Sequence, residues 1–174
     1  MNKRVIEVVA YNPRWQQLFS QEKLLLNQIL GSELINIEHI GSTSVTGLAA
    51  KPIIDILVEV KNLGFIDTLN TEFEKLGYKP KGENGIEGRR YFQKGGAPRS
   101  HHIHMFELNN SHAFNHRLFR DYLIAHSKVA CDYAEIKRKA ASLCNHDMTI
   151  YMSMKDRFIK STLADAKIWH DAQL

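Results

Sequence analysis

Asp55 stands alone in an apolar run, Ile53-Ile54-Asp55-Ile56-Leu57-Val58. An ionised carboxylate among branched aliphatics is costly unless a cation, a metal or hydrogen-bond donors meet it, so its position marks a candidate site. Upstream, Gly41-Ser42-Thr43-Ser44 closes a short apolar stretch. A glycine there lets the backbone approach a ligand closely, and the hydroxyls and successive amides that follow are the parts of an anion cradle. A phosphate fits such a cradle. Asp55 can act on it through Mg²⁺, a hard cation that prefers oxygen ligands and substrate phosphates, and Lys51, just before the acid, neutralises further charge. The implied ligand is a nucleoside triphosphate or another phosphorylated small molecule.

A second group lies in Arg89-Arg90-Tyr91-Phe92 and His101-His102-Ile103-His104. In strand alternation His102, His104 and Phe106 share one face, while Arg89 and Tyr91 oppose Arg90 and Phe92. Histidines at i and i+2 can hold a metal, or donate to phosphate oxygens when protonated. Asp55, His102 and His104 therefore form the candidate catalytic and metal set, and Arg89 and Arg90 are both candidates for binding phosphate. Phe106 occupies the place of the third histidine in a histidine-triad hydrolase pattern, which leaves that nucleophile arrangement incomplete.

The phrase IEHIGSTSVTGLAAKPIIDI, with GIEGRRYFQK, the HHIH strand and the later FRDYLIAH, resembles the GrpB family from about Val5 to Phe158. The resemblance implies a nucleotidyltransferase-like fold, in which a strand, a Gly-Ser turn and an acid-bearing strand recur. It also draws in Arg120, of the FRDYL phrase, and Lys155, of YMSMKDRFI, as ligand-binding candidates. Two departures stand out. Thr46 replaces a common proline, which affects loop stiffness, and Leu57 fills the slot of the second acid that superfamily enzymes carry. Two-metal phosphoryl transfer needs carboxylates that hold ions about 4 Å apart. Glu59 is too far along a strand rising about 3.3 Å per residue to help. The expected function is a metal-dependent nucleotidyl or phosphoryl transferase acting on a nucleotide and a small acceptor; a degenerate nucleotide or phospho-metabolite binding protein on the same fold is the alternative.

These residues need a sheet and helices to place them. Val5 to Ala10 reads as a strand; Asn12-Pro13 starts a helix whose apolar stripe runs from Trp15 to Leu30 and stops at Gly31. Phe65, Leu69, Phe73 and Leu76 describe a second helix, and the arginine and histidine stretches pair as an antiparallel hairpin through Gly95-Gly96-Ala97-Pro98. From Ser111 on, three helices are expected: 112–125, 128–143 with a stripe through Val129, Tyr133, Ile136, Ala140 and Leu143, and a last one capped by Asp147. The fold class is thus α/β (α+β), a mixed sheet flanked by helices, with a core at 1–110 and a C-terminal helical bundle at 111–174 packed on it. The basic residues of these helices, Lys137, Arg138 and Lys139 among them, read as a solvated face.

The 174 residues are 44% hydrophobic, as expected of a globule with a sizeable core, and the formal charge is +4. That excess suits phosphate-bearing ligands without demanding nucleic acid; an RNA-binding helper role would use the basic helices, yet no aromatic RNA motif accompanies them. No apolar run approaches the roughly 20 residues of a spanning helix, so no membrane partner is expected. Cys131 and Cys144 lack CxxC spacing. They read as free thiols, and with no signal peptide at the N-terminus the expected location is the cytoplasm.

Overall fold

The computed structural model describes residues 5–174; the first four residues of the expected core lie outside it. Helix α1, Arg14–Leu30, leads through a 3-10 turn at Gly31–Glu33 into the strand β1, Leu34–Ile40, followed by a second 3-10 turn at Ser42–Ser44 and β2, Ile54–Val60. Two short helices, α2 at Leu63–Asp67 and α3 at Asn70–Lys75, precede β3, Tyr78–Pro80. Strands β4, Arg89–Gly95, and β5, Arg99–Glu107, complete the sheet, and α4, Ser111–Ala125, α5, Ser127–Leu143, and α6, Met148–Asp171, end the chain. The sheet order is β1-β2-β5-β4-β3. It is mixed: β2 runs parallel to β5 and antiparallel to β1, and β4 and β5 form the expected hairpin.

Strand alternation divides the sheet into two faces of different chemistry. Ile54, Ile56, Val58 and Val60 of β2 join Ile103 and Met105 of β5 and Phe92 of β4 against Trp15, Leu26 and Leu30 of α1 and Phe73 of α3. This is the main core, a dry layer between sheet and helices. On the other face Ile40, Leu57 and Phe106 pack beneath Ala113 of α4. That cover stops short of the end of the sheet where Asp55, His102 and His104 lie. The acid is therefore left at a rim and not within a sealed layer, with its side chain 29% exposed.

Caps account for several boundaries. Asn12 Oδ1 accepts from Arg14 N, Asn110 from His112 N, and Asp147 from Thr149 N and Ile150 N, satisfying amides that a helix start leaves without partners. Two expectations need correction. Residues 5–10 make no regular strand: Val9 bridges Ala50 alone, while Ile6 and Val8 anchor an extended segment against apolar clusters of the C-terminal helices. The helix expected over 65–76 is broken into α2 and α3, because Thr68 and Leu69 close a tight turn through bonds to Phe65 and Ile66 carbonyls. No helix among the described residues is long and apolar enough to cross a membrane.

Candidate functional site

The turn after β1 and the acid of β2 meet. Gly41 has φ +71°, and a Cβ on it would stand 2.7 Å from Asp55 Oδ2, so glycine is required both by backbone conformation and by the carboxylate pressed against it. Ile40 is the register partner of Asp55, and pairing of the two strands fixes this approach. The turn is locked from within: Ser44 Oγ donates to Gly41 O, Thr43 Oγ1 donates to Ile53 O, and His39 Nε2 lies 2.9 Å from Thr43 Oγ1. Burial holds the His39 pKa down to about 4, which keeps that imidazole neutral. Of the three hydroxyls, Thr43 and Ser44 thus serve the turn itself. Ser42 lies beside the Tyr133 hydroxyl, and the amides of Ser42 and Thr43 find no acceptor among the described residues.

Beside Asp55 stand the two histidines of β5. His104 Nε2 donates to Asp55 Oδ1 at 3.1 Å, and His102 Nδ1 approaches the same oxygen at 3.5 Å. Burial alone would raise the carboxyl pKa, but these imidazoles overcome it and hold the group well below the usual carboxylate range. Asp55 is therefore an anion at any physiological pH. Behind His104, His116 of α4 packs at 4.8 Å between ring centroids, and burial drives its pKa down to about 3, so it adds no charge.

A hollow of about 500 Å³ opens over this group, a volume suited to a small-molecule ligand. It brings together Gly41, Ser42, Thr43, Lys51, Asp55, His102, His104 and Lys155 of the expected set. It also contains polar residues that sequence reading missed or misplaced, Arg99, Tyr133 and Lys137 among them. Lys137, expected on a solvated face, is 2% exposed and donates to Ala49 O. The buried stripe of α5 runs through Ala130, Tyr133, Ala134, Lys137 and Ala140, while Leu143 is 60% exposed. A lysine four residues after Tyr133 and three before Ala140 was the available signal.

The remaining candidates lie elsewhere. Arg90 makes a two-pronged pair with Asp67 of α2. Arg89 shares the face of Tyr91, as alternation requires, but its guanidinium donates to the carbonyls of Glu83 and Asn84 and stacks on the Tyr91 ring, outside the hollow. Arg120 of α4 holds Glu38 Oε2 and the His39 carbonyl, and Arg117 bridges Glu38 to Glu59. Those arginines tie helix to sheet. Ser44 faces a second hollow of about 570 Å³, walled by Leu48, Leu123, Ala130 and Ala134 on the far side of the loop.

The donor set bears on a metal. Among the described residues no three His, Cys, Asp or Glu side chains are disposed around a common point as a metal shell would need; the imidazoles of His102 and His104 are directed at the carboxylate itself. Leu57, in the second-acid slot, is 1% exposed within the apolar cluster under α4, and Glu59 is held by Arg117. Asp55 is thus the residue that would hold a cation in the hollow, and among the described residues no second carboxylate lines it for another ion.

Comparison with known proteins agrees with this architecture. The family model described as GrpB protein matches residues 5–165. The UPF0157 protein YqkA of Bacillus subtilis (strain 168) is 46% identical over 96% of this chain, which spans 49% of that relative's length. The crystal structure of the conserved protein GrpB from Enterococcus faecalis superposes with a TM-score of 0.89 at 42% identity, covering 94% of this chain and 99% of that one. A cytoplasmic RNA terminal U-transferase aligns with a TM-score of 0.50 at 14% identity, over 74% of this chain and 40% of its own, a likeness of fold alone. Matched along nearly its whole length by the family pattern, and built on a nucleotidyltransferase-like mixed sheet, the chain belongs to the GrpB family.

Proposed function

We propose that the protein is a nucleotidyl or phosphoryl transferase that binds a nucleotide in the hollow between the Gly41 turn and the helices. The observation that carries this reading is the contact of Gly41 with the Asp55 carboxylate at the mouth of a lysine-walled cavity. An anion cradle, a fixed carboxylate and cations then surround one volume. In such a transfer the acceptor hydroxyl bonds to phosphorus, the bond to the bridging oxygen breaks, the phosphate leaving group departs with the electron pair, and the acceptor proton passes to solvent. Asp55 would hold Mg²⁺, which supplies Lewis-acid neutralisation of phosphate charge when bound. Ser42 orients the phosphate nearest the turn, Lys51 and Arg99 offset its charge, and His102 and His104 keep Asp55 ionised and fixed in direction.

A second reading has its own observation. Leu57 fills the second-acid slot with an aliphatic side chain sealed in the core, and that favours a protein that binds a nucleotide or phospho-metabolite on this fold without turning it over. Thermal shift against a nucleotide panel, with and without Mg²⁺, followed by phosphate and pyrophosphate release assays, separates the two. Stabilisation with turnover supports the transferase, and stabilisation without turnover across a wide range of acceptors supports the binding protein. Asp55→Asn should abolish the Mg²⁺-dependent part of the shift; if that part persists, the carboxylate has been given the wrong role.

A further inference from the structure

Two lysines of the hollow are buried without a counter-charge. Lys137, on α5, is 2% exposed and Lys155, on α6, 7%, and neither enters an ion pair among the described residues. Lys137 Nζ donates to Ala49 O and stands 4.5 Å from the centre of the Tyr133 ring, and Lys155 Nζ lies 4.3 Å from that of Tyr151. A carbonyl and two rings solvate them in part. They do not neutralise them.

An ammonium so placed loses hydration, and a second cation nearby adds repulsion. Both effects favour the neutral amine, and a neutral lysine amine is a nucleophile; desolvation and a neighbouring cation are the two devices that activate lysines for attack on carbon. The proposed transfer makes no use of such a nucleophile. Its surroundings also choose the electrophile. An aldehyde or ketone gives a Schiff base whose protonated form restores the positive charge at Nζ, so the repulsion by Lys155 remains. Carbon dioxide gives a carbamate, which is an anion. That product turns two like charges into an opposed pair, the arrangement in which buried charges compensate each other. Carbon dioxide is also small and uncharged, and can pass through a hollow of about 500 Å³ to an amine that a bulky or charged reagent would not reach.

We infer that Lys137 is a carbamylation site, at which carbon dioxide adds to Nζ and the carbamate formed is held by the Lys155 ammonium. The Nζ lone pair bonds to the carbon of carbon dioxide, one C–O π pair moves onto oxygen, and an N–H proton leaves to solvent. One N–H remains on Nζ for Ala49 O. Because Lys137 lines the hollow, carbon dioxide sets the charge of that wall. The modification stands whether or not the hollow takes a nucleotide.

The electrostatics assign the two roles. Burial, then Lys155, Arg138 and Lys51, hold Lys137 down to a pKa of about 7. Burial, then Lys51, hold Lys155 down to about 8, with Asp55 pulling the other way. Tyr133 and Tyr151, the other titratable groups packed against them, are pushed up by burial and stay neutral. Lys137 is thus the first of the pair to become nucleophilic, and Lys155 keeps its charge to higher pH. An exposed lysine with the ordinary value near 10.4 is only about 0.1% neutral at pH 7.5. At fixed carbon dioxide pressure, occupancy of the carbamate should rise as pH increases through about 7.

Carbon-13 NMR of the full chain in labelled bicarbonate near neutral pH, followed by trapping with a trialkyloxonium salt and peptide mapping, tests the site. The expected result is a side-chain carbamate resonance, resolved from bicarbonate and mapped to Lys137. The chain's α-amino group, with an ordinary pKa of about 7.7–8.0, serves as the reference for reaction at an unbuilt site. Lys137→Met should abolish the side-chain resonance. Lys155→Met should weaken carbon dioxide binding by about tenfold or more, as for loss of a hydrogen bond between charged groups, and Lys155→Arg should retain it. If a variant fails to fold, the peptide map of the unmodified chain decides. No side-chain carbamate, or one mapped to a lysine other than Lys137, overturns the proposal. Undiminished binding in Lys155→Met overturns the counter-ion role and with it the choice of carbon dioxide.

Discussion

Gly41 and Asp55 depend on each other, and the pair sets what each residue of the site can do. Any side chain at 41 meets the carboxylate at 2.7 Å and must also occupy a positive-φ, extended-ψ conformation that is essentially glycine's alone. Gly41→Ala should cost about 1–3 kcal/mol from backbone conformation alone, more if Asp55 cannot move. Urea unfolding measures the stability, and nucleotide thermal shift should be lost at the same time. Lys137 makes a prediction with a definite sign in the absence of ligand. Its folded pKa of about 7 lies below the ordinary 10.5, so between these values the unfolded chain holds the extra proton and stability rises with pH. Below pH 7 both states are charged and the burial penalty is complete. Lys137→Met should flatten the rise seen between pH 7 and 10 in unfolding free energy; an unchanged slope would show that the ammonium is better solvated than its 2% exposure implies.

Among the elements, α4 does most to separate structural charge from functional charge. Its arginines meet Glu38 and Glu59, on the same face of the sheet as Asp55 but further along the strands. Burial of Glu38 would raise its pKa, and the two guanidinium groups outweigh that and lower it. Arg120→Ala leaves Glu38 with less compensation and should destabilise the protein by about 1–3 kcal/mol, read by denaturant midpoint. Nucleotide affinity should stay within twofold of the parent, because Arg120 does not line the hollow. Periodicity made α1, the hairpin and the three last helices legible. It could not show that residues 5–10 would stay out of the sheet, because Ile6 and Val8 pack on clusters of the C-terminal helices, contacts remote in sequence.

The whole molecule matters because the hollow has walls from both ends of the chain. Residues 41–55 and 99–104 supply the turn, the acid, the imidazoles and Arg99; α5 and α6 supply Tyr133, Lys137, Tyr151 and Lys155. We propose that the core at 1–110 and the helices at 111–174 are mutually dependent. Val45, Leu48 and Ala49 are buried against Leu123, Ala130 and Tyr133, and Leu57 and Phe106 lie beneath α4. A fragment ending at residue 110 should expose both layers, lose near-ultraviolet circular dichroism and bind ANS; a cooperative transition from that fragment would refute the dependence.

The amino-acid sequence by itself determined the strand bearing Asp55, the glycine turn before it, the histidine face of β5 and the family pattern, because each is a local matter of periodicity, backbone freedom or residue spacing. The tertiary structure decided which cations the site owns. Arg89, Arg90 and Arg120 are taken up by carbonyls and carboxylates close at hand in the fold, whereas Lys137 and Lys155 fall on the buried stripes of their helices and point into the hollow. Long side chains reach several ångströms from their backbone positions, and which partner they meet depends on how helices and sheet are packed, a relation that no spacing along the chain records.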